Sequence, residues 1–197
     1  QALADEMVSR GVDCEKITIV HNGVHVDRFT PRSADRNLAK KLGTEGNVII
    51  GYVGSIVDYE GLNLLVEASE NLIQRGIENF TVLIVGDGAA SPSLEALASI
   101  SSVSEHFIFT GRVPHEEVES YYSLIDIAPF PRLSLPVTEM VSPLKPFEAM
   151  AMEKLVIASD VAALEEIVNH EVTGLLFKKD DVDSLTDALE LGISDSK

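Results

Sequence analysis

Apolar runs of four to seven residues alternate along the chain with longer segments whose apolar positions recur every three to four. The runs at 16–20 (KITIV), 47–53 (NVIIGYV), 80–85 (FTVLIV), 106–111 (HFIFTG), 124–130 (LIDIAPF), 154–159 (KLVIAS) and 174–177 (GLLF) read as strands. The middle ones are apolar throughout rather than every second residue, the pattern of strands covered on both faces in a parallel sheet. Between them, 61–76 keeps Leu62, Leu65, Val66, Leu72 and Ile73 on one helical face and stops at Gly76, a C-terminal glycine. Segment 91–100 opens with Ser91 and Pro92, good residues for an N-cap and first turn. Helices are also expected over 114–124, over 160–170 with Asp160 as N-cap, and over 181–192. The first residues, QALADEMVSRG, are already in helical pattern, and 21–37 reads as a connector. Strand–helix alternation of this kind predicts a doubly wound α/β domain with right-handed crossovers.

Composition narrows the partners. The chain has 197 residues, 45% of them hydrophobic, enough for a sizeable core. Acidic residues outnumber basic ones 32 to 15, a net charge of −17. Such a surface repels nucleic acid and anionic membrane, so neither is an expected partner, although a local basic pocket can still take an anion. Cys14 is the sole cysteine, which excludes an intrachain disulfide and a cysteine-based zinc site. The histidines, His21, His25, His106, His115 and His170, are scattered and form no metal-ligand spacing. The triplet 181–183 (DVD) has the spacing of a metal motif but stands at a helix start, where capping is the better reading. No apolar run reaches the roughly 18 residues of a membrane-spanning helix, and no signal peptide is evident.

Ligands of doubly wound sheets bind at the carboxyl ends of the strands, which directs attention to the loops there. In 53–61 (VGSIVDYEG), Gly54 and Gly61 would let backbone N–H groups approach an anion. No GKS or GKT follows, so it is not a Walker loop. The loop 85–91 (VGDGAAS) fails as a dinucleotide fingerprint: Ser91 stands where its third glycine would be. The segment 129–143 holds four prolines, Arg132 and Glu139 and shows no clear period; long structureless loops in compact domains are usually functional. It leads into 142–151 (SPLKPFEAMA), a helix start capped either at Ser142 or nearer Pro146. Glu148 suits a first turn, but Lys145 opposes the helix dipole there, at a cost of about 0.3–1 kcal/mol that an anion would reverse.

Six segments, 19–29 (IVHNGVHVDRF), 51–68 (GYVGSIVDYEGLNLLVEA), 83–88 (LIVGDG), 109–131 (FTGRVPHEEVESYYSLIDIAPFP), 143–152 (PLKPFEAMAM) and 157–177 (IASDVAALEEIVNHEVTGLLF), occur in the order found in family-4 (group 1) retaining GT-B glycosyltransferases. The chain resembles their C-terminal, Rossmann-like domain over nearly its whole length. The resemblance implies that residues 1–25 enter from an absent N-terminal, acceptor-binding domain, and that 26–197 bind a nucleotide-sugar donor, with the C-terminal crossover helix truncated. It implies an enzyme part, inactive alone, that moves sugar from a UDP- or GDP-type donor to a polysaccharide or glycolipid acceptor. No cofactor or metal is implied. The expected location is cytoplasmic, with peripheral attachment to the inner membrane left to the absent domain. A non-catalytic nucleotide-binding domain and a sugar-nucleotide 2-epimerase are the alternatives.

Carried onto this chain, the resemblance gives Glu148 the ribose hydroxyls, places the base against backbone around Arg112 and Val113, and sets Gly54 and Ser55 beside the diphosphate. The chain also departs from the family. The basic residues usually found just after the glycine and six residues beyond it are Ser55 and Glu60, and the first glutamate of the family's Glu-x7-Glu pattern falls on Met140, with Glu139 one place off. Arg132 and Lys145 are the cations expected to neutralise the leaving diphosphate instead.

Overall fold

The computed structural model describes residues 2–195, so residue 1 and residues 196–197, the outer ends of the two expected segments, lie outside the described residues. Six parallel strands form one sheet: β1 (Val48–Val53), β2 (Phe80–Val85), β3 (Phe107–Gly111), β4 (Ile127–Phe130), β5 (Leu155–Ser159) and β6 (Leu175–Phe177). Their order is β3-β2-β1-β4-β5-β6. This is the Rossmann arrangement, and its order reverses between β1 and β4, where the carboxyl ends open a crevice. Every residue of β1, β2 and β4 is buried, as the unbroken apolar runs require.

The flanking helices are α1 (Ala2–Ser9), α2 (Arg36–Leu42), α3 (Leu62–Gln74), α4 (Ser91–Ile100), α5 (Val118–Leu124), α6 (Pro136–Met140), α7 (Lys145–Ala151), α8 (Ala162–Glu165) and α9 (Val182–Asp195). The apolar stripe of α3 buries Leu62, Leu65, Val66 and Leu72, and its opposite neighbour is α9, which buries Leu185, Leu189 and Ile193. Gly76 lies just past α3 with φ of 80°, as a helix-ending glycine does. Asp181 accepts from the Ser184 N–H at 3.1 Å and caps α9, so the DVD triplet is a helix start.

Five expectations need correction. Residues 16–20 are not a strand: after a single turn at Cys14–Lys16 the chain runs outside the sheet, with Val20 85% exposed, because no neighbouring strand offers it a partner. An unexpected helix, α2, capped by Asp35, starts in the last two residues of the 21–37 connector and runs on to Leu42. The helix expected over 160–170 is the short α8. Asp160 does not cap it but accepts from the Lys179 N–H at 2.7 Å, and the chain turns at Glu171 (φ 60°) into β6. Helix α4 has Ala90, not Ser91, at its N-cap. Within 129–143, α6 forms because the Thr138 hydroxyl accepts from the Leu135 N–H and donates to nearby carbonyls of its own loop. The open choice at 142–151 resolves to Leu144 as N-cap, without a side-chain cap, and Pro146 in the first turn of α7.

Candidate functional site

The chain turns sharply after β1. Gly54 (φ 149°) takes a conformation that L residues rarely adopt, and a Cβ there would lie 2.4 Å from Lys145 Cε. The glycine therefore lets the lysine stem from α7 lie directly against the turn. Lys145 Nζ donates to Glu60 Oε1 at 2.8 Å and to the Tyr52 hydroxyl at 2.6 Å. The Tyr52 hydroxyl in turn donates a hydrogen bond to the Ser55 carbonyl at 2.8 Å.

Glu60, 3% exposed, sits at the centre of this cluster. Arg132 Nε stands 3.8 Å from its second oxygen, and an Arg132 terminal nitrogen donates to the Val141 carbonyl at 2.9 Å. Arg132 is only 4% exposed. Two cations around one carboxylate leave the cluster formally +1. Burial pushes the Lys145 ammonium's pKa below its ordinary value, with Glu60 opposing the shift. Burial, then Glu60, pushes the Tyr52 phenol far upward, so it remains a neutral acceptor for Lys145.

Beyond Gly54 a cleft of about 290 Å³ opens at the carboxyl ends of β1, β2 and β3. Gly54, Ser55, Gly86, Asp87, Arg112, Val113 and His115 line it. Four expected residues, Gly54, Ser55, Arg112 and Val113, thus share one wall system. On α7, one turn beyond Lys145, half-buried Glu148 accepts from the Tyr122 hydroxyl at 3.1 Å. Burial raises its carboxyl pKa, against the lowering influence of Tyr122, Arg28, His115 and Lys145. Arg28, in the connector, bonds Glu119 and both the ring and carbonyl of His115, tying the connector to the cleft wall.

Glu139 is placed differently. One oxygen binds Lys179 Nζ at 2.7 Å and Ser134 Oγ at 2.8 Å; the other accepts from the Ala162 N–H at 2.7 Å, at the start of α8. Burial would raise its pKa, but these hydrogen bonds outweigh it and hold the carboxyl low. Both oxygens serve the 129–143 loop and α8; Glu139, Arg132, Lys145 and Glu148 are not among the residues lining the cleft, but Lys145 lies against its Gly54 edge.

Tyr52, Tyr122, Arg28 and His115 were not singled out by sequence reasoning as site residues. His115 stands just past the carboxyl end of β3, close to Arg112 and Val113, and that position is its available signal. Nothing in the chain's linear order marks the tyrosine hydroxyls. Among the described residues no group of three His, Cys, Asp or Glu side chains is placed to hold a metal ion. No helix among them is long and apolar enough to cross a membrane.

The family model of the group 1 glycosyl transferases matches residues 47–195, which include all six strands and the whole of this cleft. The chain belongs to the group 1 glycosyl transferases. A GDP-mannose-dependent α-(1-6)-phosphatidylinositol monomannoside mannosyltransferase of Mycobacterium tuberculosis is 31% identical over 172 residues, covering 85% of this chain and 44% of the relative. A 2-deoxystreptamine glucosyltransferase of Streptomyces kanamyceticus is 32% identical over 118 residues, covering 58% of this chain and 30% of the relative. The chain spans less than half the length of these curated relatives. In fold it is similar to Anabaena HepE, solved with UDP-glucose, at a TM-score of 0.85 and 18% identity, covering 98% of this chain and 52% of that one. The C-terminal domain of a group 1 glycosyl transferase, LpcC of Francisella tularensis, matches at a TM-score of 0.73 and 24% identity, over 88% of this chain and 89% of that one. The fold is that of the C-terminal half of a GT-B glycosyltransferase.

Proposed function

We propose that this domain binds the nucleoside diphosphate of a sugar donor in the cleft at the ends of β1–β3, for transfer of the sugar with retained anomeric configuration. The observation that carries the reading is the Lys145 ammonium lying against the Gly54 turn, within a cluster of net charge +1, in an otherwise acidic protein. Diphosphate beside Gly54 and Ser55 meets that charge, and the Glu148 carboxylate accepts the two ribose hydroxyls. The base lies against backbone around Arg112 and Val113. Arg132, buried behind Glu60, acts on the diphosphate through its field rather than by contact.

In the transfer step the bond from the anomeric carbon to the diphosphate oxygen breaks. An acceptor hydroxyl oxygen bonds to the same face of that carbon, and its proton passes to the leaving diphosphate. Cations at the diphosphate stabilise the charge that develops there. The acceptor, a polysaccharide or glycolipid, is bound on this reading by an N-terminal domain outside these residues, and the isolated domain does not turn over. Donor use is assigned to the cytoplasm. A relative named as GDP-mannose-dependent and a fold neighbour solved with UDP-glucose make guanosine and uridine donors the pair to compare. Calorimetric titration of UDP and GDP into the wild-type chain and Lys145→Ala tests the reading: one nucleotide binds, and the variant weakens it. Equal affinity in the two proteins sinks it.

A further inference from the structure

The turn Asp58–Glu60 is clamped to the chain that leaves β4. The Leu133 N–H donates to the Tyr59 carbonyl at 3.1 Å, and the Arg132 guanidinium lies over the Tyr59 ring, 5.6 Å from its centre. A Cβ on Gly61 would lie 1.9 Å from the Pro131 carbonyl oxygen, so only glycine permits this approach. The backbone on either side of Glu60 is therefore held against the chain after β4, and its side chain is buried there. Its Oε1 holds Lys145, while Oε2 and the facing Arg132 Nε are buried without hydrogen bonds of their own. An acid in a diphosphate-binding turn reads as hostile to the ligand. Buried and bonded to Lys145, it does something else.

We propose that Glu60 is a positioning residue for donor binding: its carboxylate fixes the Lys145 ammonium beneath the Gly54 turn and supplies the counter-charge that lets it remain an ammonium there. The proposal rests on the donor-binding reading above. Lys145 Nζ has three protons, and two are committed, to Glu60 and Tyr52. The third is left for an oxygen at the turn. A lysine stem pressed against backbone is short of water, and burial favours its neutral form. The charged and titratable groups around it are Tyr52 on β1, Glu60, Arg132 after β4, and Glu148 on α7. Tyr52 is neutral, and Arg132 disfavours a second cation. With the Glu60 charge removed, the more distant Glu148 alone supports the ammonium.

A merely structural ion pair would change stability and the Lys145 midpoint without making donor affinity depend on pH. A positioning role changes how Lys145 titrates and how donor affinity follows pH. The test uses the full 197-residue chain with lysine labelled at Cε. The Lys145 resonance is identified by its loss in Lys145→Arg and titrated in wild type and Glu60→Gln. UDP-glucose and GDP-mannose, whose diphosphates have no proton to lose near neutrality, are titrated at pH 7 and pH 9. In Glu60→Gln the Lys145 midpoint falls by about one unit or more, and affinity drops about tenfold between the two pH values. Wild-type affinity changes far less. Lys145→Arg on the Glu60→Gln background removes the pH dependence, because arginine does not titrate. If Glu60→Gln does not fold, the same measurements compare Glu60→Gln with Arg132→Gln against Arg132→Gln alone, so that loss of the second cation is common to both proteins and the Lys145 midpoint still falls. An unchanged Lys145 midpoint overturns the positioning role whatever the nucleotide result. A shifted midpoint in a protein that binds neither donor overturns the donor-binding reading, and with it the aim of Lys145 at a diphosphate.

Discussion

Two loops leave the central strands at the carboxyl edge of the sheet, and each carries an acid bonded to a lysine. After β1, Glu60 meets Lys145 with their side chains 4% and 19% exposed; in the loop after β4, Glu139 meets Lys179 at 26% and 36%. The distances are nearly equal, 2.8 and 2.7 Å. Surroundings separate them. Water screens the Glu139 pair and solvates either partner if the other is lost, so the pair is worth little. The Glu60 carboxylate has no such refuge, and neither has the Arg132 guanidinium behind it. The same contact is a local brace in one loop and a condition of the fold in the other.

The largest expected effect breaks the buried side of this comparison. Glu60→Ala leaves two cations buried beside each other, and urea unfolding is expected to show a loss of about 3–5 kcal/mol. Next comes Lys145→Ala, which on the proposed reading removes a charge-assisted contact to the diphosphate. Donor affinity falls about tenfold to a hundredfold by calorimetry, corresponding to about 1.5–3 kcal/mol.

The third effect is in pH. On the proposed reading Glu148 binds ribose hydroxyls as a carboxylate, and its pKa is raised, so UDP-glucose or GDP-mannose affinity is expected to decline on acidification at a higher pH than an ordinary glutamate would give. The groups facing it are Tyr122, Arg28, His115 and Lys145. Glu148→Gln is expected to bind more weakly and to lose that acid limb. On the alkaline side, Lys145 has a lowered pKa, and with its ammonium as the proposed binding form, affinity is expected to fall as pH rises through that value. The smallest effect belongs to the exposed pair: Lys179→Ala costs under about 1 kcal/mol and leaves donor affinity unchanged. A large loss of affinity in that variant would mean that the loop after β4 touches the donor.

The sheet was legible because burial on both faces leaves its mark in composition: Ile50, Val82 and Ile157 are fully buried, and no charged residue stands within their strands. Residues 16–20 have the same composition and no strand to pair with, which a local pattern cannot register. Helix α6 was hidden because the bonds around Thr138 that shape it come from loop geometry rather than from a repeat of apolar residues. The cleft wall was readable from turns at strand ends, so Gly54, Ser55, Arg112 and Val113 fell together. Lys145 was visible as a charge at the wrong end of a helix. The anion that offsets it is Glu60, which in linear order is only an acid in a loop where the family carries a base. Spatial proximity across 85 positions decides its role.

That separation has a kinetic consequence. Glu60 follows β1, in the half-sheet β3-β2-β1, and Lys145 follows β4, in the half-sheet β4-β5-β6. The two halves meet along β1 and β4, so this contact of high sequence separation closes only when they dock. Partly folded chains with one half formed would carry a lone acid or a lone base, each still hydrated. The ion pair is a latch between half-domains, and a probe placed at Lys145 would report the moment of their assembly.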